Sequence, residues 1–129
     1  FTNLAESANL VASAPASTLS FYVSAGAVQY FTANTANNWT INLAWASSTL
    51  MNNVMSVGDT VTVAALITNG SSAYYETALN IDGVAQTPKW QGGTAPTAGN
   101  ASAIDVYSLA ITKTASATYT VLASLTKFA

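Results

Sequence analysis

Residues 39–46 read WTINLAWA, and this stretch decides the fold class. Trp39, Ile41, Leu43 and Trp45 alternate with smaller or polar residues, so their side chains share one face of an extended strand. Alternation with a period of two residues is typical of a strand that is buried on one side only. We therefore expect these four side chains to point into the core of a β protein.

Short apolar stretches of the same kind recur at a spacing of roughly ten residues, which is typical of a sandwich or a barrel. The candidate strands are residues 18–23, 28–32, 39–46, 60–68, 73–81, 84–90, 104–112 and 118–128. Residues 1–13 form a further short strand or an arm, and residues 48–56 are the only helix-like interval, where Ser48 or Thr49 can act as the N-cap. The pattern predicts one all-β domain over residues 1–129. The expected architecture is an antiparallel β-sandwich, jelly-roll-like, with about eight strands and less than about a tenth helix.

The remaining core is expected to come from the alternating residues of two other candidate strands. Their inward-facing positions are Val61, Val63, Val121 and Leu125. Together with the apolar face of residues 39–46, they predict one hydrophobic core between two sheets.

Turn residues indicate how the strands connect. Asn69-Gly70 and Asp82-Gly83 readily adopt the positive φ angles of a type I′ turn, so each pair predicts a hairpin. Pro88 has no backbone donor, and it therefore marks the strand that contains it as an edge strand or as the end of one.

The composition is poor in charge: 6% of the residues are charged, against roughly 25% in ordinary soluble domains. The only cations are Lys89, Lys113 and Lys127 and the net charge is −2, so the chain is not suited to neutralise a phosphate backbone. The longest apolar run, residues 63–67, has about five residues, whereas a membrane helix needs roughly 20. We expect neither nucleic-acid binding nor membrane insertion, and a surface made largely of Ser, Thr, Asn and Ala.

Catalytic chemistry has few candidate residues. The chain contains no His and no Cys, which removes the commonest general base, the thiolate nucleophiles and the usual zinc ligands. Asp82 and Asp105 are the acid pair to consider for a glycosidase, which needs two carboxyl groups roughly 5 to 10 Å apart, and Asp59 is a further candidate for a calcium site. Their positions in turns and near a strand start favour turn and capping roles instead. We expect no enzymatic activity, no cofactor and no bound metal.

Aromatic rings beside side-chain amides offer another kind of site. Trp90 and Gln91 precede a loop rich in Gly and Pro, Tyr74-Tyr75 places one ring on each face of a strand, and Asn100 ends the loop. Exposed rings combined with amides are how binding modules hold carbohydrate. These five residues are therefore the candidate ligand-binding residues, with packing under the loop as the alternative role of Trp90.

A set of segments carries a resemblance to a known group of proteins. The segments are Tyr74-Tyr75, Ile81-Asp82-Gly83, TPKWQGGTAP at residues 87–96, Gly99-Asn100, Asp105-Val106-Tyr107, residues 118–124 and Phe128, together with residues 30–32 and 55–58 upstream. They resemble a C-terminal domain found in structural proteins of marine tailed bacteriophages, especially cyanophages. The resemblance covers about residues 28–129, and its most specific part is the Trp-Gln-Gly-Gly segment.

This resemblance implies a virion component of the tail-fibre or neck type, on the exposed surface of the particle and without enzymatic activity. The expected partners are further copies of the chain, with a three-fold arrangement as the first expectation, other virion proteins and host-surface glycans. The subunit contact is expected on residues 118–128 or 91–102, which carry few charges. A carbohydrate-binding module of a marine microbe is the alternative function.

Overall fold

The computed structural model describes residues 6–129, which form ten strands, one turn of α-helix and two short 3₁₀ turns. The strands are β1 (Asn9–Val11), β2 (Thr18–Tyr22), β3 (Val28–Phe31), β4 (Trp39–Ala44), β5 (Thr60–Thr68), β6 (Glu76–Ile81), β7 (Val84–Ala85), β8 (Lys89–Trp90), β9 (Ile104–Ala115) and β10 (Thr118–Phe128). The helix α1 spans Met51–Val54, and the 3₁₀ turns span Val23–Ala25 and Gln91–Gly93. The predicted arm at residues 1–13 is described only from residue 6, and part of it is β1.

The strands form two sheets, ordered β1-β3-β5-β9-β10-β8 and β2-β4-β6-β7. From β1 to β6 the chain changes sheet after every strand, and each new strand lies parallel to the one two places before it. These six strands therefore stack as three coils of a two-sheet solenoid, in which each coil packs on its neighbours. The antiparallel pair β9 and β10 then extends one sheet, and β7 extends the other.

The mostly-β prediction is confirmed, but the antiparallel jelly-roll prediction is wrong. Five ladders are parallel (β1–β3, β2–β4, β3–β5, β4–β6 and β8–β10) and three are antiparallel. The error has a physical reason: side chains alternate in the same way along strands of either ladder type, so the apolar period does not indicate direction. The direction follows from the connections, which cross between the sheets instead of turning back within one.

The two predicted hairpins have opposite outcomes. Asp82 and Gly83 have φ angles of 53° and 79° and turn β6 into the antiparallel β7, as predicted. Asn69-Gly70 forms no hairpin, because β5 and β6 lie in different sheets. The Asn69 side chain is buried instead: it accepts a hydrogen bond from the Thr35 hydroxyl, and its amide donates to the Asn100 carbonyl at 3.1 Å.

The core lies between the sheets and consists of side chains that stack in register from strand to strand. On the smaller sheet, two such rows are Leu19–Ile41–Leu79 and Phe21–Leu43–Ile81. On the larger sheet, the facing rows are Val61–Ile111–Val121, Val63–Leu109–Ala123 and Ala65–Tyr107–Leu125. Continuous rows of this kind leave each coil dependent on its neighbours for burial of its apolar face.

Most of the predicted core residues are buried, and three are not. Trp39, Ile41, Leu43, Val63 and Val121 are at most 3% exposed. The exceptions, which lie at the rim of the core and are only partly buried, are Trp45, Val61 and Leu125. Trp45 packs against the core as predicted, but it lies just beyond the end of β4 at Ala44 and is only partly buried.

The helix α1 lies within the predicted interval 48–56, but neither predicted cap is used. The Asp82 carboxylate instead accepts hydrogen bonds from the backbone N–H groups of Met51 and Asn52, at 2.7 and 3.1 Å. At the other end, the buried Lys113 ammonium donates to the carbonyls of Asn52 and Met55, at 2.9 and 2.8 Å. An anion at the N-terminus and a cation at the C-terminus match the polarity of a helical turn.

Among residues 6–129, no helix combines the length and apolar character that crossing a membrane requires.

Replacement of the two strand tryptophans by alanine should separate the core position from the rim position. Trp39→Ala removes a side chain that is 1% exposed and should lower the free energy of unfolding by roughly 3 to 5 kcal/mol. Trp45→Ala, at a partly buried position, should cost about 1 to 2 kcal/mol. Urea denaturation followed by circular dichroism measures both, and equal losses would contradict this assignment of core and rim.

Candidate functional site

The segment around Trp90 carries the chain from the edge of the smaller sheet to the edge of the larger one. Pro88 lies between the two-residue strands β7 and β8, each at the edge of its own sheet, so the predicted strand 84–90 is divided in two at this proline. Trp90 pairs in register with Ala123 of β10 and packs partly against the core. Gly92 and Gly93 then turn the chain with φ angles of 78° and 85°, which favour glycine. Trp90 is thereby held with one side on the core and the other towards solvent.

One cleft lies between β6 and the segment that contains Trp90. It has a volume of about 390 Å³, and its walls include Tyr75, Glu76, Gln86, Pro88 and Trp90. Two aromatic side chains, an amide and a carboxyl group therefore share one concave surface. This combination suits a ligand that presents a flat apolar face and hydroxyl groups.

A second cleft lies on the other side of Trp90, towards the end of β10. It has a volume of about 300 Å³, and its walls include Gln91, Asn100, Leu125 and Lys127 as well as Trp90. Gln91 is exposed, so its amide is accessible from solvent. Lys127 is the only charged residue in the wall of this cleft.

The structure brings four of the five predicted ligand-binding residues to these clefts. Trp90, Gln91 and Asn100 share the second cleft, and Tyr75 shares the first cleft with Trp90. Tyr74 lies in the wall of neither one. The backbone carbonyl of Tyr74 lies against Gly99 of the 91–102 loop. A Cβ atom added at Gly99 would lie only 2.1 Å from the carbonyl oxygen.

Asn100 already has structural partners for its donors. Its side-chain amide donates to one oxygen of Asp105 at 2.8 Å, and its backbone N–H donates to the other at 2.9 Å. Asp105 is fully buried and also accepts a hydrogen bond from the Asn69 amide at 3.1 Å. These contacts hold the loop against the end of β5, so Asn100 supports the cleft more than it offers free donors to a ligand.

Glu76, like Gln86, is a residue of the first cleft that the sequence interpretation missed. A bulge in β6 places it inward: Trp39 pairs with Glu76 while Thr40 pairs with Ala78, so Thr77 is an extra residue. Glu76 is 5% exposed, and its Oε2 has no hydrogen-bond partner within residues 6–129. Burial raises the pKa of this carboxyl group from 4.5 to about 7, because the charged form loses its hydration. The sequence signal that could have identified Glu76 is that it is the only charged residue of β6.

The acidic residues considered for catalysis serve the fold. Asp82 caps α1, and Asp105 anchors the loop at Asn100. Asp59 is exposed and accepts a hydrogen bond from the Ser56 backbone N–H at 2.8 Å. Residues 6–129 contain no group of three acidic side chains that would suit a metal ion, and Glu76 is the only acidic residue in the walls of the two clefts.

Comparisons of this chain with protein-family models, with curated proteins and with solved structures found no match. The walls of the two Trp90 clefts hold an aromatic ring, side-chain amides and a single carboxyl group whose pKa burial raises to about 7. A neutral carboxyl group donates a hydrogen bond as well as accepting one.

The buried Glu76 should make the stability depend on pH. Below about pH 4.5 the carboxyl group is protonated in both the folded and the unfolded chain, so its burial carries no cost of ionisation. As the pH rises towards 7, only the unfolded chain releases the proton, so the free energy of unfolding should fall by about 1.4 kcal/mol per pH unit, on the order of 3 kcal/mol in all. Urea denaturation at a series of pH values measures this slope.

Glu76→Gln should remove that part of the slope between pH 4.5 and 7, because glutamine does not titrate. Glu6→Gln, which makes the same chemical change at an exposed position, is the matched control and should retain the slope. A Glu76→Gln protein with the same pH dependence as the wild type would show that the buried carboxyl group is not its source.

Proposed function

We propose that this chain is a non-enzymatic structural domain of a bacteriophage virion, of the tail-fibre or neck type, on the exposed surface of the particle. In this role it associates with copies of itself and with other virion proteins, and it contacts glycans of the host surface. The proposal starts from the sequence resemblance. The observation that carries it is the nearly uncharged outer face of the six-stranded sheet, which suits close contact between subunits.

Four of the eight charged residues are used inside the fold, which leaves the surface low in charge. Glu76, Asp105 and Lys113 are buried, at 5%, 0% and 7% exposure. Asp82 is half-buried and is occupied with the N-terminus of α1. Little electrostatic repulsion therefore opposes the association of identical copies, and few charged groups would lose hydration in a contact.

The coil architecture also supports a structural role. The rows of core side chains run across successive coils of the solenoid, so neighbouring coils are joined by ladders and by packing at the same time. Each coil gains stability from the next one, as in other stacked repeats. A module built in this way suits a structural part.

The alternative function, a carbohydrate-binding module of a marine microbe, is favoured by one observation. Trp90 and Tyr75 line the same cleft, and Gln86 and Glu76 lie in its walls. Aromatic stacking combined with hydrogen bonds to hydroxyl groups is the general mode of sugar binding. The function as a virion domain and the binding of sugar are compatible, because contact with host-surface glycans would use the same cleft.

The structural proposal predicts self-association in solution. Multi-angle light scattering over a rising micromolar concentration series should give a mass that is a multiple of the 13.2 kDa chain mass. The sequence resemblance favours a three-fold assembly as the first expectation. A mass that stays at 13.2 kDa over the whole series would contradict the structural proposal and favour the binding module.

The alternative predicts sugar binding that depends on Trp90. Titration of neutral oligosaccharides, followed by the tryptophan fluorescence and by calorimetry, should show binding that Trp90→Ala weakens about fivefold or more, since loss of ring stacking costs about 1 kcal/mol or more. Tyr74→Ala is the matched control, because Tyr74 lies outside both clefts. Equal binding by Trp90→Ala and wild type would place any sugar site elsewhere.

A further inference from the structure

The outer face of the six-stranded sheet is built from in-register rows, as its core face is. Four rows cross the central strands: Tyr30–Leu66–Val106–Thr126, Val28–Ala64–Ser108–Ser124, Thr62–Ala110–Leu122–Lys89 and Thr60–Thr112–Thr120. A fifth row, Thr68–Ile104–Phe128, lies beside the first one, and Leu10 of β1 extends that first row. Each of these side chains is half-buried or exposed.

The character of these rows changes along the strands. At one end they are apolar, with Leu66, Val106, Ile104 and the 57% exposed Phe128 as neighbours. Towards the other end most of the side chains in the rows are small or carry hydroxyl groups. The only charged side chain in any of the rows is Lys89, which lies at the margin on β8.

This face is large enough for a specific contact. Four central strands spaced about 4.8 Å apart are roughly 20 Å wide, and nine residues of a strand extend about 30 Å, which gives on the order of 600 Å² per copy. Two such faces bury on the order of 1,200 Å², which is at the lower limit of stable specific interfaces.

We propose that this face is the contact surface for a second copy of the chain, packed sheet on sheet about a two-fold axis that runs parallel to the strands. Such an axis places each row on the same row of the partner, so the apolar end of one copy covers the apolar end of the other. The axis lies between β5 and β9, the two central strands, so that Leu66 of one copy meets Val106 of the other and the reverse contact forms as well.

A second copy fits this surface better than other classes of partner do. A nucleic acid or an anionic lipid surface needs several cations, and the rows offer Lys89 alone. An identical face brings no charge of its own to the centre, and it presents apolar and hydroxyl groups in matching order. The contact involves β10, which is the segment 118–128 expected to form the subunit interface.

This inference rests on the proposed structural function and refines it. A face that covers itself is isologous and joins copies in pairs, so the expected unit has twice the chain mass and differs from the three-fold unit that the resemblance favours. The proposed structural function and the proposed two-fold interface can therefore fail separately.

The test is the change in self-association caused by one lysine on this face. Val106→Lys places a desolvated charge next to the axis, in the apolar end of the contact, and should raise the dimer dissociation constant at least tenfold in sedimentation-velocity experiments. Thr62→Lys, at an exposed position on the same face, should act in the same direction and is the more conservative change for folding. Ser20→Lys adds the same charge at an exposed position of the four-stranded sheet and should leave the dimer unchanged.

Cross-linking identifies the face directly, because the chain contains no Cys and an introduced one is unique. Ser108→Cys, next to the proposed axis, should be joined to its counterpart by a bismaleimide about 10 to 15 Å long, because packed sheets lie about 10 Å apart and neighbouring strands about 4.8 Å apart. Ser20→Cys should remain uncoupled under the same conditions.

The outcomes separate the two proposals. A dimer that the face variants weaken and that Ser108→Cys cross-links supports the inference. An assembly of three chains, or a dimer that neither Val106→Lys nor Thr62→Lys weakens, overturns this interface and leaves the structural function standing. A wild-type chain that remains a monomer throughout contradicts both.

Discussion

The contact between Trp39 and Tyr107 is the interaction on which the relation of the two sheets depends. The rings meet edge to face with their centroids 5.0 Å apart, and they come from β4 of one sheet and β9 of the other. The Tyr107 hydroxyl also accepts a hydrogen bond from the Glu76 backbone N–H at 3.2 Å, so one side chain connects β9 with both β4 and β6. The bulge that turns Glu76 inward lies at this junction. The contacts among Trp39, Tyr107 and Glu76 therefore relate the two sheets to each other and also place a buried acid in the wall of the first cleft.

Polar side chains inside the fold determine what its surface can do. Asp82 and Lys113 hold the two ends of α1, while Asp105 holds the loop that follows Trp90. Because these charges have partners within the chain, they are not presented to other molecules. The surface includes a sheet face of apolar and hydroxyl side chains and the two clefts beside Trp90. The first suits contact with a second subunit, and the second suits an uncharged ligand, so the scarcity of surface charge favours both proposed roles.

The candidate site could be predicted only in part. Trp90 and Gln91 were identifiable because an aromatic residue and an amide precede a run of Gly and Pro that has to form an exposed corner. Tyr74 and Tyr75 look equivalent in sequence, yet of the two only Tyr75 lines one of the Trp90 clefts, and adjacent residues of this kind are separated only by the packing around them. Glu76 could not be assigned, since its inward direction depends on a bulge opposite Trp39, and a bulge is a property of the paired strands. Asn69 was misassigned to a turn because its own buried partners come from distant parts of the chain.

The amino-acid sequence by itself determined that the chain is built of strands, where most of them lie and which alternating residues enter the core. These properties depend on neighbouring residues and on composition, so they can be derived locally. The tertiary structure decided which sheet each strand joins, whether its neighbours run parallel or antiparallel, and which faces stay exposed. The physical reason is that a strand satisfies its backbone hydrogen bonds equally in either ladder, so the choice depends on connections that cross between the sheets and on the simultaneous packing of Trp39, Tyr107 and the rows around them.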